Sequence, residues 1–217
     1  MYITAERGQL KVVKALLDSR ADANQATTDG GATPMYIAAQ EGQLKVVKAL
    51  LDSKVDANQA CTDDGSTPMF MAAQKGQLEV VKALLDSRAD ANQALTDGGI
   101  TPMYIAAQEG QLEVVKALLD SKVDANQACT DDGTTPMYIA AQKGQLKVVK
   151  ALLDSRVDAN QARTDGGFTP MFMAAEKGQL EVVKALLDSK VDANQACTDD
   201  GSTPMFMAAQ KGQLEVV

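Results

Sequence analysis

The apolar positions of residues 33–66 follow the period of an α-helix in two short segments. The first begins at the pair Thr33-Pro34, where the hydroxyl caps the helix and proline gives up an N–H that had no partner, and it ends at Gly42. The second, about 43–53, is apolar over more than half of its circumference. The polar remainder, 54–66, is rich in Asp, Asn and Gly, which predicts a projecting loop or β-hairpin.

This unit recurs along the chain with a period of 34 residues. Thr-Pro-Met opens it at Thr33, Thr67, Thr101, Thr135, Thr169 and Thr203. The units are therefore 1–32 (partial), 33–66, 67–100, 101–134, 135–168, 169–202 and 203–217 (partial). A fixed period of this length marks a repeat array, in which helices that are apolar on several sides are covered by neighbouring units. We predict one all-α solenoid over residues 1–217, made of helix-turn-helix units with short β-hairpin loops.

A second pattern has twice this period. Units with Cys and Asp-Asp-Gly alternate with units that carry Asp-Gly-Gly, so the full period is 68 residues. Recent duplication of a two-unit block and deliberate construction would both give this alternation.

Charge and cysteine content exclude some classes of partner and indicate a cellular compartment. The net charge is −8 and the basic residues are spread evenly, which argues against nucleic-acid binding. No apolar run approaches a membrane span and no signal peptide is recognisable, so we expect no membrane association. Cys61, Cys129 and Cys197 lie two units apart, about 20 Å at normal helix spacing, whereas a disulfide needs about 7 Å or less. Free thiols favour a reducing compartment, the cytoplasm or else the nucleus.

Catalytic and metal-binding patterns are missing. The chain has no His, the commonest general base and metal ligand. Asp63-Asp64 near Asn58 lacks the spacing of an EF-hand, and the cysteines have neither a His nor a CxxC partner. We therefore predict no enzymatic activity, no metal and no cofactor.

One set of residues recurs in register in the units: Thr33-Pro34, Ala38-Ala39, Gly42, Val46-Val47, Leu50-Leu51, Asp56, Asn58 and the join Gly65-x-Thr67-Pro68. With them the chain resembles ankyrin-repeat proteins over its whole length. The resemblance implies antiparallel helix pairs with β-hairpins at right angles, stacked into a curved solenoid. Tetratricopeptide arrays also have 34-residue units, but about a dozen residues here are non-helical and the Trp and Leu-Gly signals of that family are missing.

The units depart from the ankyrin pattern at three points. Each has 34 residues instead of 33, so the hairpin is longer. The His that follows Thr-Pro-Leu in the family is Tyr or Phe here, as at Tyr36, which puts its hydrogen bond with the Thr hydroxyl in doubt. The Gly that usually ends the second helix is Lys or Arg, as at Lys54. A left-handed cap at such a residue costs about 1 kcal/mol, so we expect a different corner there.

Comparison of the units shows which positions the fold leaves free. Two variable columns flank the hairpin tip: Thr27, Cys61, Leu95, Cys129, Arg163, Cys197, and Ala32, Ser66, Ile100, Thr134, Phe168, Ser202. A third column, Arg7, Glu41, Lys75, Glu109, Lys143, Lys177 and Lys211, varies in charge at the end of the first helix. In ankyrin-like proteins these regions line the concave surface that grips partners. The resemblance thus implies a partner site of Leu95, Ile100, Arg163 and Phe168 with Glu41, Lys75, Glu109, Lys143 and Lys177; drift at solvated positions is the alternative.

Two other columns have structural interpretations. Lys48 and Asp52 recur in every complete unit, which indicates a solvated outer face. The aromatic column is Tyr36, Phe70, Tyr104, Tyr138, Phe172 and Phe206. We predict that it packs in or near the core and does not contact a ligand.

Two functions remain open at this point. The first is a non-enzymatic scaffold that binds a protein partner, whose identity the sequence does not give. The second is an array that stacks end to end, because neither end shows the polar replacements of a capping repeat. In that case exposed residues Met205, Ala208, Ala209 and Leu214 would dock on the first unit of another chain. The chain could equally be a piece of a longer array whose caps lie elsewhere.

Overall fold

The computed structural model describes residues 1–28, 30–213 and 215, and these form thirteen α-helices and no β-strand. The first helices of the units are α1 (Tyr2–Glu6), α3 (Pro34–Gln40), α5 (Pro68–Gln74), α7 (Pro102–Gln108), α9 (Pro136–Gln142), α11 (Pro170–Glu176) and α13 (Pro204–Gln210). The second helices are α2 (Leu10–Asp18), α4 (Leu44–Asp52), α6 (Leu78–Asp86), α8 (Leu112–Asp120), α10 (Leu146–Asp154) and α12 (Leu180–Asp188). The predicted all-α class and the helix-turn-helix repeat are confirmed.

The first helix of each complete unit is fixed at both ends. In α7 the side chain of Thr101 accepts a hydrogen bond from the Tyr104 N–H at 3.1 Å, and proline occupies the first turn. The threonine hydroxyl thus keeps a backbone donor, although the chain lacks the histidine side chain that is usual here in the family that it resembles. The helix ends at Gln108, and just beyond it the φ of 70° at Gly110 lets two N–H groups reach back to carbonyls of the last turn.

The second helix buries a broad apolar arc. In α8, Val114, Val115 and Leu118 are at most 1% exposed. The polar column that contains Lys48 and Asp52 is exposed in each second helix, which confirms its assignment to the outer face. This distribution holds the second helix between its own first helix and the two neighbouring units.

The corner after the second helix differs from our expectation. Six residues adopt left-handed φ values of 58–63°: Arg20, Lys54, Arg88, Lys122, Arg156 and Lys190. At Lys122 the N–H donates to Leu119 O at 2.9 Å, and the Val123 N–H donates to Leu118 O at 3.2 Å, which is a Schellman motif. The expectation of a different corner was wrong, because two backbone hydrogen bonds and an exposed side chain hold the usual geometry without glycine.

The helices form two layers. Each first helix packs against the next first helix, each second helix against the next second helix, and the two helices of a unit against each other. Equivalent methionines in five successive units, Met35, Met69, Met103, Met137 and Met171, are at most 1% exposed. The core therefore runs the length of the stack and has no single centre.

Directional hydrogen bonds fix how one unit sits on the next. Gln145 Nε2 donates to Gln108 O at 3.1 Å, and the Asp124 N–H donates to Asn92 Oδ1 at 3.0 Å. Equivalent bonds recur between other units, with the same residue types and the same sequence separations of 37 and 32 residues. Each interface along the stack thus repeats the register of the one before it.

Six projecting turns, here called fingers, connect the units: 27–32 (without Asp29, which lies outside the described residues), 61–66, 95–100, 129–134, 163–168 and 197–202. In each finger the first N–H donates to the carbonyl of the last residue, as from Leu95 to Ile100 at 2.9 Å. Backbone bonds also join neighbouring fingers, for example from Thr130 N–H to Gly98 O at 3.0 Å. The expected hairpins are therefore tight turns linked in a row, with no strand in the described part of the chain.

Candidate functional site

The predicted partner residues lie in two rows, one along the fingers and one at the ends of the first helices. The charged row is Glu41, Lys75, Glu109, Lys143 and Lys177, each the first residue after a first helix and each exposed. The finger row contains Leu95, Ile100, Arg163 and Phe168, and these side chains are half-buried. The finger row thus lies beside the N-terminal ends of the first helices, whereas the charged row lies at their C-terminal ends, beyond the seven residues of each helix.

The aromatic column lies next to the residues at the bases of the fingers. Phe70, Tyr104, Tyr138 and Phe172 are at most 9% exposed, which confirms that they pack in or near the core. Tyr36 is half-buried. For Phe206 in the last unit the prediction was wrong, because no described residue covers its ring and it is 55% exposed. Side chains at the finger bases rest on this row, which explains why the variable residues beside it are only partly accessible.

Arg163 makes more intramolecular contacts than a free surface arginine. Its Nε and Nη2 atoms donate to the two carboxylate oxygens of Asp165 at 2.7 and 2.6 Å. Nη2 also lies 3.1 Å from Asp132 Oδ2 in the preceding finger. Nη1 lies 3.4 Å from the Tyr138 hydroxyl, and the guanidinium carbon is 5.5 Å from the centre of the Tyr138 ring. Only 22% of the side chain is exposed.

Phe168 is also held against the fold. Its ring centre lies 5.0 Å from that of Phe172, with the planes tilted by 50°. Phe172 is 2% exposed and belongs to a small cluster with Tyr138, Met173 and Cys197, against which Phe168 packs. The ring therefore presents one face to solvent and one to the array.

The structure can now be set beside known families. The profile described as ankyrin repeats (3 copies) matches residues 1–94, 88–165 and 155–217, which together span the chain. The chain belongs to the ankyrin-repeat family. Ankyrin repeats are generally protein-interaction modules, and the family is typically a non-enzymatic binding scaffold. A comparison with curated proteins found no match.

Sequence reasoning missed two members of the ankyrin array's finger site, Asp132 and Tyr138. Asp132 accepts a hydrogen bond from the Thr134 N–H at 2.8 Å and faces Arg163 of the next finger. Burial alone would raise the pKa of Asp132, but the Thr134 hydrogen bonds and the charge of Arg163 lower it, so the carboxylate is ionised at neutral pH. The available signal was the repeat itself, because stacking places corresponding fingers side by side.

One buried thiol of the ankyrin array, that of Cys129, is a poor nucleophile. Cys61, Cys129 and Cys197 are all free and buried. Burial raises the pKa of the Cys129 thiol to about 11, and burial likewise raises the pKa of Tyr104 to about 12. Both groups are therefore uncharged at neutral pH, and Cys129 has little of the thiolate form that attacks substrates.

Two further observations concern other kinds of site. Among residues 1–28, 30–213 and 215, no three or more acidic, Cys or His side chains are grouped so that they could hold a metal ion. None of the helices described is both long enough and apolar enough to cross a bilayer.

The last described helix of the array, α13, presents part of the surface that we predicted for end-to-end stacking. Met205 is 61% exposed, whereas its counterparts in internal units are buried. Ala209 is exposed as well. Ala208 was wrongly expected to be exposed: it is fully buried, because α13 packs on α11. Leu214 lies outside the described residues.

Proposed function

We propose that this ankyrin array is a protein-binding scaffold without catalytic activity, and that its finger side receives the partner. The observation that carries the proposal is the position of the variable residues. The columns that flank the finger tips change freely between units, while the residues that build the helices and their interfaces are nearly constant. A surface that varies on a constant framework is suited to recognition.

The chemistry of this side suits a partner with mixed apolar and charged groups. Leu95, Ile100 and Phe168 offer partly exposed apolar surface at the finger bases. The exposed charges at the C-terminal ends of the first helices, such as Lys75 and Glu109, would orient a partner that extends from the fingers across these helices. The free thiols fit a reducing compartment, so we propose the cytoplasm, or the nucleus, as the location.

Removal of Ile100 and Phe168 tests the surface. Peptides selected from a displayed library against the wild-type array serve as probes, and their affinities are measured for the double variant Ile100→Ala/Phe168→Ala. We expect at least about tenfold weaker binding, because truncated apolar contacts at the centre of an interface cost more than 1 kcal/mol each. Since Phe168 also packs on Phe172, the free energy of unfolding should fall by about 1 kcal/mol.

The matched control changes the opposite side of the array. The double variant Lys48→Ala/Lys116→Ala removes two exposed side chains from second helices and should bind the selected peptides like the wild type. If the peptides bind the Ile100/Phe168 variant as tightly as the wild type, the finger side is not the binding surface. A pull-down with the intact array and the double variant then identifies natural partners.

The alternative function is self-association. A second copy of the chain would then bind at the end faces of the array and not at its finger side. Met205 and Phe206 are 61% and 55% exposed at one end, and Ile3 is 59% exposed at the other. In internal units the corresponding faces form the unit–unit interface, so head-to-tail contact would continue an interface that already exists within the chain.

Two complementary variants distinguish this arrangement from a face-to-face dimer. We expect the wild-type mass in sedimentation to rise with concentration, and Ile3→Asp and Met205→Asp each to remain monomeric. A mixture of the two should form a dimer and stop there, because one intact face remains on each variant. The control Ser121→Asp adds the same charge at an exposed site in the middle and should behave like the wild type. A wild-type chain that stays monomeric up to about 1 mM excludes this function.

A further inference from the structure

Two junctions between fingers have the same sequence pattern but different contacts. At each, an Asp-Asp-Gly finger is followed by an Asp-Gly-Gly finger: 61–66 by 95–100, and 129–134 by 163–168. The first finger contains Asp64 at one junction and the equivalent Asp132 at the other. The second finger begins with Leu95 in one case and with Arg163 in the other. The two junctions are thus a natural pair that differs at the base of the second finger.

Within this pair, the backbone bond across the junction is shorter at Arg163. The junctions at Cys129 and Cys197 have bonds of 3.0 and 2.8 Å without an arginine, so the ion pairs of Arg163, and not the bond length, distinguish its junction. The Thr164 N–H donates to Asp132 O at 2.9 Å, whereas the Thr96 N–H donates to Asp64 O at 3.3 Å. Arg163 spans the first of these bonds, since its guanidinium reaches Asp132 on one finger and Asp165 on the other. At the Leu95 junction no side chain among the described residues makes such an ion pair.

We propose that Arg163 is a clasp that locks the finger 163–168 onto the finger 129–134, so that these two fingers behave as one rigid body. Its planar guanidinium makes two parallel bonds to Asp165 while a further contact holds Asp132, a geometry that a lysine ammonium cannot reproduce. The Tyr138 ring beneath it fixes the plane of the group. Arg163 is therefore a positioning residue of the finger row, and this role does not require any partner.

Tyr138 belongs to the clasp because nothing equivalent exists below Leu95. The residue 25 positions before Arg163 is Tyr138, whose hydroxyl lies 3.4 Å from Nη1. The residue 25 positions before Leu95 is Phe70, which has a ring but no hydroxyl. The acidic partners, by contrast, are present at both junctions as Asp64 and Asp97. Two substitutions should therefore be enough to build a second clasp.

Amide hydrogen exchange tests the clasp in two ways: by removing Arg163, and by introducing the arginine and the tyrosine at the Leu95 junction. In Arg163→Leu, which copies the residue of the other junction, the Thr164 amide should exchange about fivefold faster. Arg163→Lys should not restore the wild-type rate. In Leu95→Arg/Phe70→Tyr, the Thr96 amide should exchange about fivefold more slowly. The amides of Leu118 and Leu152 in the helices should keep their wild-type rates in all three variants, which separates a local clasp from a change in global stability.

Either of two results with Arg163→Leu would overturn the proposal. One is a Thr164 amide that exchanges at the wild-type rate in Arg163→Leu. The other is equal acceleration of the Thr164, Leu118 and Leu152 amides, which would mean that Arg163 supports the whole stack and not one junction. A transferred pair that leaves Thr96 unchanged would show that the arginine and the tyrosine are not sufficient to make the clasp, and would also count against it.

Discussion

Replacing Leu118 by Ala should lower the free energy of unfolding by about 3 kcal/mol. Leu118 is 0% exposed in α8, and the methyl groups that the substitution removes would leave a cavity between helices of neighbouring units. The stack cannot close around such a cavity without shifting several units. Urea denaturation followed by circular dichroism measures the loss.

The repeat supplies a control for this substitution in the same chain. Leu16 holds the equivalent position in α2, where it is only half-buried. Leu16→Ala should therefore lower the free energy of unfolding by about 1 kcal/mol. Equal losses at Leu16 and Leu118 would contradict the conclusion that stability comes from contact with neighbouring units.

Replacing Gly133 by Ala should be about as damaging as the loss of Leu118. Its φ of 73° is left-handed, and an added Cβ would lie 2.8 Å from the backbone N of Thr164 in the next finger. Backbone strain of 1–2 kcal/mol is thus combined with a clash against an atom that cannot move alone, for a total of about 3 kcal/mol. Thermal and urea unfolding of Gly133→Ala measure this effect.

The same substitution at Gly201 measures the backbone strain without the clash. It has nearly the same φ, 74°, but nothing lies within 4 Å of the position of its Cβ. Gly201→Ala should therefore cost about 1 kcal/mol, the strain alone. If Gly133→Ala is no more destabilising than Gly201→Ala, close contact between fingers does not contribute to the stability of the stack.

Much of the fold was predictable because the repeat makes every local signal appear several times. Thr101 begins a helix and Gly110 ends it, as their residue types indicate. The corner at Lys122 was not predictable from propensity, because its left-handed conformation is imposed by two backbone hydrogen bonds of the folded helix end. Propensity describes a residue alone, and this corner is decided by its neighbours.

The candidate site was predictable in position but not in contacts. Variation between units pointed to Arg163 and Phe168, and the fold places both on the finger side. The contacts with Tyr138 and Phe172 depend on how a finger folds onto a first helix. The contact of Arg163 with Asp132 depends on how one unit sits over another. Such relations between units follow from stacking geometry, which composition and spacing within one unit do not contain.

The repeated register of the unit–unit bonds also bears on how the chain folds. Two kinds of side-chain hydrogen bond recur between units, those of Gln145 to Gln108 and of Asp124 to Asn92, and their equivalents always join residues 37 and 32 positions apart. Because the entropy of closing a loop depends on its length, each docking step closes a loop of about the same size. Folding can therefore begin at any pair of units and spread in both directions. The relative contact order falls as units are added, so a longer array should fold without a slower search for distant contacts.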